Sequence, residues 1–136
     1  GIRAAGTNYA DLAVALWDEV RSIADPEVRR GLLQRLVNRL GDHYKKSVRG
    51  DTIEERLRSL AGLLGDRNVP CEVDASGELP VLTALACPYP DLAEQDRGIC
   101  AMEKMLFSEV VGTNVQLTSC RLDGDTTCCT FQASGV

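Results

Sequence analysis

Six cysteines, Cys71, Cys87, Cys100, Cys120, Cys128 and Cys129, are the residues of this 136-residue chain with the most chemistry in them, and all lie in its second half. Soft thiolates select zinc, iron–sulfur clusters or copper(I). Cys87 opens the run Cys87-Pro88-Tyr89-Pro90, a stiff, non-helical corner. Cys100 follows after twelve intervening residues, and Cys128 and Cys129 are adjacent near the end. No Cys-x-x-Cys pair occurs, which argues against a zinc ribbon. The competing reading is that these are buried free thiols acting as small apolar side chains, and spacing alone leaves both readings open. Strand alternation lets only one of Cys128 and Cys129 turn readily to a shared site. Phe131 is apolar and expected inward, and it shares a strand face with Cys129. Cys129 is therefore expected to point inward, with Cys128 as the alternate; alternation does not say on which face a shared site lies, and Cys87, Cys100 and Cys120 stay open beside them.

Other reactive residues carry less. His43 is the only histidine and sits beside Lys45 and Lys46, as a solvated surface residue would. With no serine or carboxylate at a matching spacing it makes no catalytic triad, so no enzyme is expected. Glu103 lies three residues after Cys100, on the same helical row. A solvated helix charge is the expectation, with support of a ligand as the alternative. No phosphate loop, dinucleotide fingerprint or zinc-protease motif is present.

Charge narrows the partners. Residues 1–70 hold 12 Lys/Arg against 10 Asp/Glu, and residues 71–136 hold 3 against 10, so the chain's net charge of −5 resides in its second half. A phosphate-binding surface wants a basic patch, so these residues are not expected to grip DNA or RNA themselves. No apolar run approaches the ~20 residues of a membrane helix, and no apolar signal core is visible at the start. The first residue is glycine, not methionine, which suggests a piece of a longer protein. With no export signal, and helices that need no staples, reduced thiols in the cytoplasm are expected rather than disulfides.

The elements that must position the cysteines can be read from hydrophobic periodicity. Residues 8–24 form a helix with Tyr9, Leu12, Leu16, Val20 and Ile23 on one stripe and Trp17 beside it. Asp25 caps a second helix, with Pro26 at its first position, running to about Tyr44 unless Gly41 ends it early. Its inward residues are Val28, Leu32, Leu33, Leu36, Val37 and Leu40. Thr52 and Glu55 make a capping box for a third helix, with Gly65 as its stop. These stripes are expected to be core, with dimer packing as the alternative. Strands follow over 69–73 and 79–86, then a fourth helix over 92–111 ending at Gly112, then strands over 115–122 and 126–133 around the turn Asp123-Gly124-Asp125. The sum is α+β: helices packed on a small antiparallel sheet built from two hairpins with an intervening helix. It reads as one unit, with a helical part over 1–66 and a cysteine-containing part over 67–136.

Three stretches together, Cys87-Pro88-Tyr89-Pro90, Cys100-Ala101-Met102-Glu103 and Asp123-Gly124-Asp125-Thr126-Thr127-Cys128-Cys129-Thr130-Phe131, resemble the effector domain of the SufR-like repressors. These are DeoR/ArsR-type helix-turn-helix regulators that sense iron–sulfur cluster status. The earlier helices, with Tyr44 and Glu55-Arg56-Leu57, are similar to that family's middle region. The resemblance implies a C-terminal sensory and dimerising domain whose cysteines hold an iron–sulfur cluster, of the 4Fe–4S kind where four thiolates are available. It also implies DNA contact only through an N-terminal winged helix absent from this chain. Cys87 and Cys100 match the family's first two ligands and Cys129 the fourth, while Asn114 falls on the third. Three thiolates with an open iron, or a fourth ligand from elsewhere, would still hold a cluster. The Gly-Asp-x-x-Cys hairpin is also similar to a wider group of sensory domains. The alternatives are a structural zinc site on the same residues, or a small organic-ligand binder with free buried thiols.

Overall fold

The computed structural model describes residues 2–124 and 129–134. Within them the order is α1 (Ile2–Arg21), α2 (Pro26–Lys45), α3 (Ile53–Asp66), β1 (Cys71–Asp74), β2 (Val81–Ala84), α4 (Pro90–Gln95), α5 (Gly98–Val111), β3 (Val115–Ser119), a short 3-10 turn (Arg121–Asp123) and β4 (Cys129–Ala133). The fold is α+β. Five helices accompany a four-stranded antiparallel sheet in the order β1-β2-β4-β3, so the two expected hairpins join through β2 and β4.

The helix starts follow local chemistry. Glu27 N–H donates to Asp25 Oδ1 at 2.9 Å, with Pro26 in the first turn where its missing N–H costs nothing. At α3 the capping box is closed both ways: Glu55 N–H donates to Thr52 Oγ1, and Thr52 N–H to Glu55 Oε2, each at 3.1 Å. Backbone N–H groups of Asp51 and Thr52 hold the Glu55 carboxyl below its usual pKa. The ends differ from expectation. Gly65 does not stop α3; the chain turns at Asn68, which takes the left-handed φ of 65° while Val69 N–H returns to the Leu64 carbonyl. Gly41 does not end α2 but is buried in it, where a Cβ would stand 3.0 Å from the Glu109 side chain. Gly112 ends α5 with φ +84°, as its position suggests.

The core lies between α5, α3 and one face of the sheet. Leu57, Leu60 and Leu64 from α3, Ile99, Leu106, Phe107 and Val111 from α5, and Leu82 and Phe131 from the strands are almost wholly buried. Phe107 and Phe131 meet edge to face with centroids 4.9 Å apart, a favoured geometry for their quadrupoles. Phe131 thus points inward, as the strand reading requires.

Two helical expectations need correction. The expected fourth helix is two helices, α4 and α5: the backbone is extended at Asp96, where α4 stops, and Gly98 N–H donates to Asp96 Oδ1 at 2.9 Å. The α1 stripe is not core. Tyr9, Leu12 and Leu16 are 73%, 55% and 58% exposed, and Trp17 beside them is the residue that is buried. The reason is the anchor. Trp17 Nε1 donates to Asp96 Oδ2 at 2.9 Å, which turns the indole into the body and leaves the stripe facing outward. Leu16, Val20 and Ile23 instead border an open apolar groove of about 700 Å³, shared with Leu32, Leu36 and Leu40 of α2 and Ile99 and Met102 of α5. Val28 of α2, also expected inward, is 53% exposed.

Candidate metal centre

Four cysteines from four separate segments line one small enclosed cavity. Cys87 comes from the proline-rich corner after β2, and Cys100 from the first turn of α5. Cys120 lies just beyond β3, and Cys129 is the first residue of β4. The free space between them is about 10 Å³, close to that of a single water. Apolar side chains, Ala84, Leu117 and Phe131 among them, close the walls.

Sheet geometry puts the last two thiols there. In the β2–β4 ladder Ala84 lies opposite Cys129 and Leu82 opposite Phe131, so Cys129 shares the inward face of Phe131. Cys120 gets there by an irregularity. Along β3, Gln116 and Thr118 face out, and strict alternation would turn Cys120 out with them. The register slips between Leu117, opposite Phe131, and Ser119, opposite Thr130. That β-bulge inserts one extra residue and reverses the parity. Cys120 is consequently only 5% exposed and turned to the cavity.

The thiols feel one another. Burial, then Cys120 by charge and hydrogen bond, then the nearby Cys129 and Cys87, push the Cys100 thiol up to about 12. Without a cation that thiol stays protonated, and a bound metal would reverse the preference. Cys71 is elsewhere. It pairs opposite Ala84 at the start of β1, donates to the Val69 carbonyl at 3.3 Å, and is raised to about 11 by burial and by Glu103.

Glu103 also borders the cavity. It is only 8% exposed, so it is not the solvated helix charge its sequence position suggested. Desolvation alone lifts its pKa from 4.5 to about 7. Among the described residues it has no hydrogen bond or salt bridge, an uncommon condition for a buried carboxylate. Tyr89, from the corner that carries Cys87, feels the Glu103 charge, and burial raises its phenol pKa.

Three of the four candidate ligands, Cys87, Cys100 and Cys129, therefore come together. Cys128 lies outside the described residues, as do Asp125 of the expected turn and Thr126 and Thr127 of the expected last strand. Cys120 takes a place that alternation alone denies it. Asn114 is exposed and is not among the residues lining the thiol cavity. His43 is exposed on α2, as a surface residue would be.

Four thiols from distant segments, enclosed by apolar walls, fit a thiophilic metal or cluster in donor type. Among the described residues, however, no three His, Cys, Asp or Glu side chains form a group that could hold a metal ion. Nor is any described helix long and apolar enough to cross a membrane. Compared with known proteins, the chain matches no family model, no curated protein and no solved structure.

Proposed function

We propose that this chain is a sensory domain that takes an iron–sulfur cluster or a thiophilic metal ion through Cys87, Cys100, Cys120 and Cys129, with Cys128 as an alternate ligand. The observation that carries the reading is the single cavity bordered by thiols from four segments. Chance burial of free cysteines would scatter them through the core, as Cys71 is scattered. Glu103 adds weight, since a buried carboxylate, here without a hydrogen bond or salt bridge among the described residues, is relieved by a nearby cation. The Cys100 thiol is raised, not lowered, which favours a ligand set over an activated nucleophile.

When bound, the group supplies soft-ligand bonding strong enough to count as folding free energy. The residues do the rest. The proline corner fixes Cys87, the first turn of α5 presents Cys100, and the bulge and β4 present Cys120 and Cys129. Loading releases thiol protons and joins four segments, so loss of the group would loosen α5 against the sheet. By resemblance to the SufR-like repressors, the domain would sit C-terminal to a winged helix and pair with a second copy, making its loading state felt at DNA. A shift of that kind requires a free-energy difference between states, which metal–thiolate bonds can provide.

A second reading has its own support. Space of about 10 Å³ suits a single ion better than a cluster, so a structural zinc bound by the same four thiols is the rival.

Metal analysis separates them. Protein purified without oxygen should be brown and contain iron and sulfide, and Cys87→Ser and Cys120→Ser should lose both while Cys71→Ser retains them. Zinc near one per chain, with no visible absorption, would favour the rival. Absence of both metals after anaerobic reconstitution would defeat the proposal.

A further inference from the structure

Of the six large apolar side chains exposed on the described chain, four, Tyr9, Leu12, Leu16 and Val28, stand on α1 and α2. The three on α1 follow the three-then-four spacing of a helix seam. Their stripe continues through Val20 and Ile23 into the wall of the 700 Å³ groove between α1 and α2. A contiguous apolar surface of this kind marks a place where something docks. The charges around it are sorted by helix. Glu19, three residues after Leu16, borders the groove on α1. Arg35 and Arg39, three residues after the groove residues Leu32 and Leu36, neighbour it on α2. All three are exposed, and none has a salt bridge among the described residues. The chemistry that fits is an amphipathic helix with an apolar stripe and an acidic edge, and α1 is itself such a helix.

We propose that this face is a self-association surface, on which α1 of a second copy of the chain lies along the groove between α1 and α2. Stripe and groove adjoin on one helix, so a two-fold axis beside α1 lets each copy's stripe fill the other's groove. The same placement sets Glu19 of each copy against Arg35 and Arg39 of the other. Opposite charges then meet at the edge of both grooves, which fixes how the helices align. The groove is apolar down to Ile99 and Met102 of α5, so side chains entering it leave water. A small apolar ligand fits the surface less well. It would fill the groove but leave Tyr9 and Leu12, which do not line it, in solvent. The inference needs neither a metal in the thiol cavity nor the resemblance to the repressors, since it rests on α1 and α2 alone.

Sedimentation of the full chain, reduced and chelator-treated, should give a dimer of twice its 14.7 kDa. Leu12→Glu combined with Leu16→Glu should raise the dimer dissociation constant about 100-fold, with the helical circular dichroism kept. Charge gives the sharper readout. Arg35→Glu with Arg39→Glu in one chain, and Glu19→Arg in another, should each loosen their own dimer about tenfold. Mixing the two variants should restore wild-type tightness, because each acidic edge in the mixed pair then meets a basic one. A monomeric wild type, a dimer indifferent to the leucine variant, or a mixture no tighter than its parts would overturn the inference. A monomer whose Trp17 emission shifts on addition of palmitate would overturn it in favour of a small apolar ligand. Metal is absent throughout, so failure here leaves the metal test of the thiol cavity standing, and failure of that test leaves this one standing.

Discussion

Burial of Glu103 should make the metal-free protein lose stability as pH rises through neutrality. The carboxyl is 8% exposed, and desolvation holds its pKa at about 7 against 4.5. Below pH 4.5 the group is protonated in both folded and unfolded chains and contributes no pH dependence. Between 4.5 and about 7 the unfolded chain ionises first, so folding is progressively opposed. Above about 7 the opposition levels off. At 1.36 kcal/mol per pH unit, that gap amounts to about 3 kcal/mol. Cys71 and Tyr89, the titratable neighbours that feel Glu103, are both raised and stay neutral over this range. Glu103→Gln removes the ionisation while keeping the shape. Any fixed effect of the amide is the same at every pH and drops out of the comparison. Urea unfolding of reduced, chelator-treated wild type and Glu103→Gln, from pH 4.5 to 8.5, should give a stability difference that moves by about 3 kcal/mol in favour of the variant. A difference that stays flat across that range would refute the burial argument.

Three further substitutions probe the scaffold that positions the site. Phe131→Ala removes a ring that packs edge to face on Phe107 and borders the thiol cavity; chemical denaturation should register a loss of about 3–5 kcal/mol. Asp96→Ala frees the Trp17 indole, the Arg21 guanidinium 3.7 Å away and the first turn of α5 together. Emission from Trp17, the sole tryptophan, should shift to longer wavelength, with about 1–3 kcal/mol of stability lost. Gly112→Ala places a Cβ on a residue with φ +84° at the end of α5, where thermal melting should report about 1 kcal/mol of destabilisation.

Local signals in the sequence survived folding wherever a single side chain decides the outcome. Asp25 with Pro26, Thr52 with Glu55, and Gly112 each terminate a helix where their chemistry says, because caps satisfy orphan backbone groups within a few residues. The α+β class and both hairpins follow from the change of period after Gly65. Features set by distant partners were not legible. The division between α4 and α5 falls at Asp96, whose other carboxylate oxygen is engaged by Trp17, 79 residues earlier. The same contact inverts the expected faces of α1, since periodicity marks a stripe but not what covers it. Glu103 looks like an ordinary helix charge until the sheet closes over it. Cys120 is hidden by the bulge at Thr118: with strict alternation it belongs outside, and only the slipped register turns it in. The sequence-level hint was its nearness to Cys128 and Cys129, which let it compete as a ligand.

The thiol cavity is a product of register rather than of any local motif, and that has an energetic consequence. Cys129 faces inward because Ala84 sits opposite it; moving β4 by one residue would send Cys129 and Phe131 outward together. Cys120 faces inward only through the bulge, and Cys100 lies in the first turn of α5, which starts afresh at Gly98. The strand register and the bulge are not fixed by neighbours in sequence, so the unfolded chain holds no preformed site. A group bound by all four thiols would therefore stabilise the β2–β4 register, the bulge and the α5 start as one unit, adding its binding free energy to that of folding. Its removal would be felt first at the proline corner and the end of β3, which carry Cys87 and Cys120. Those segments flank α5, the helix that packs on α2 and, through Asp96, anchors α1. The path from thiols to the outer helices thus runs through α5, and rigidity along that helix is what a change in ligation would alter.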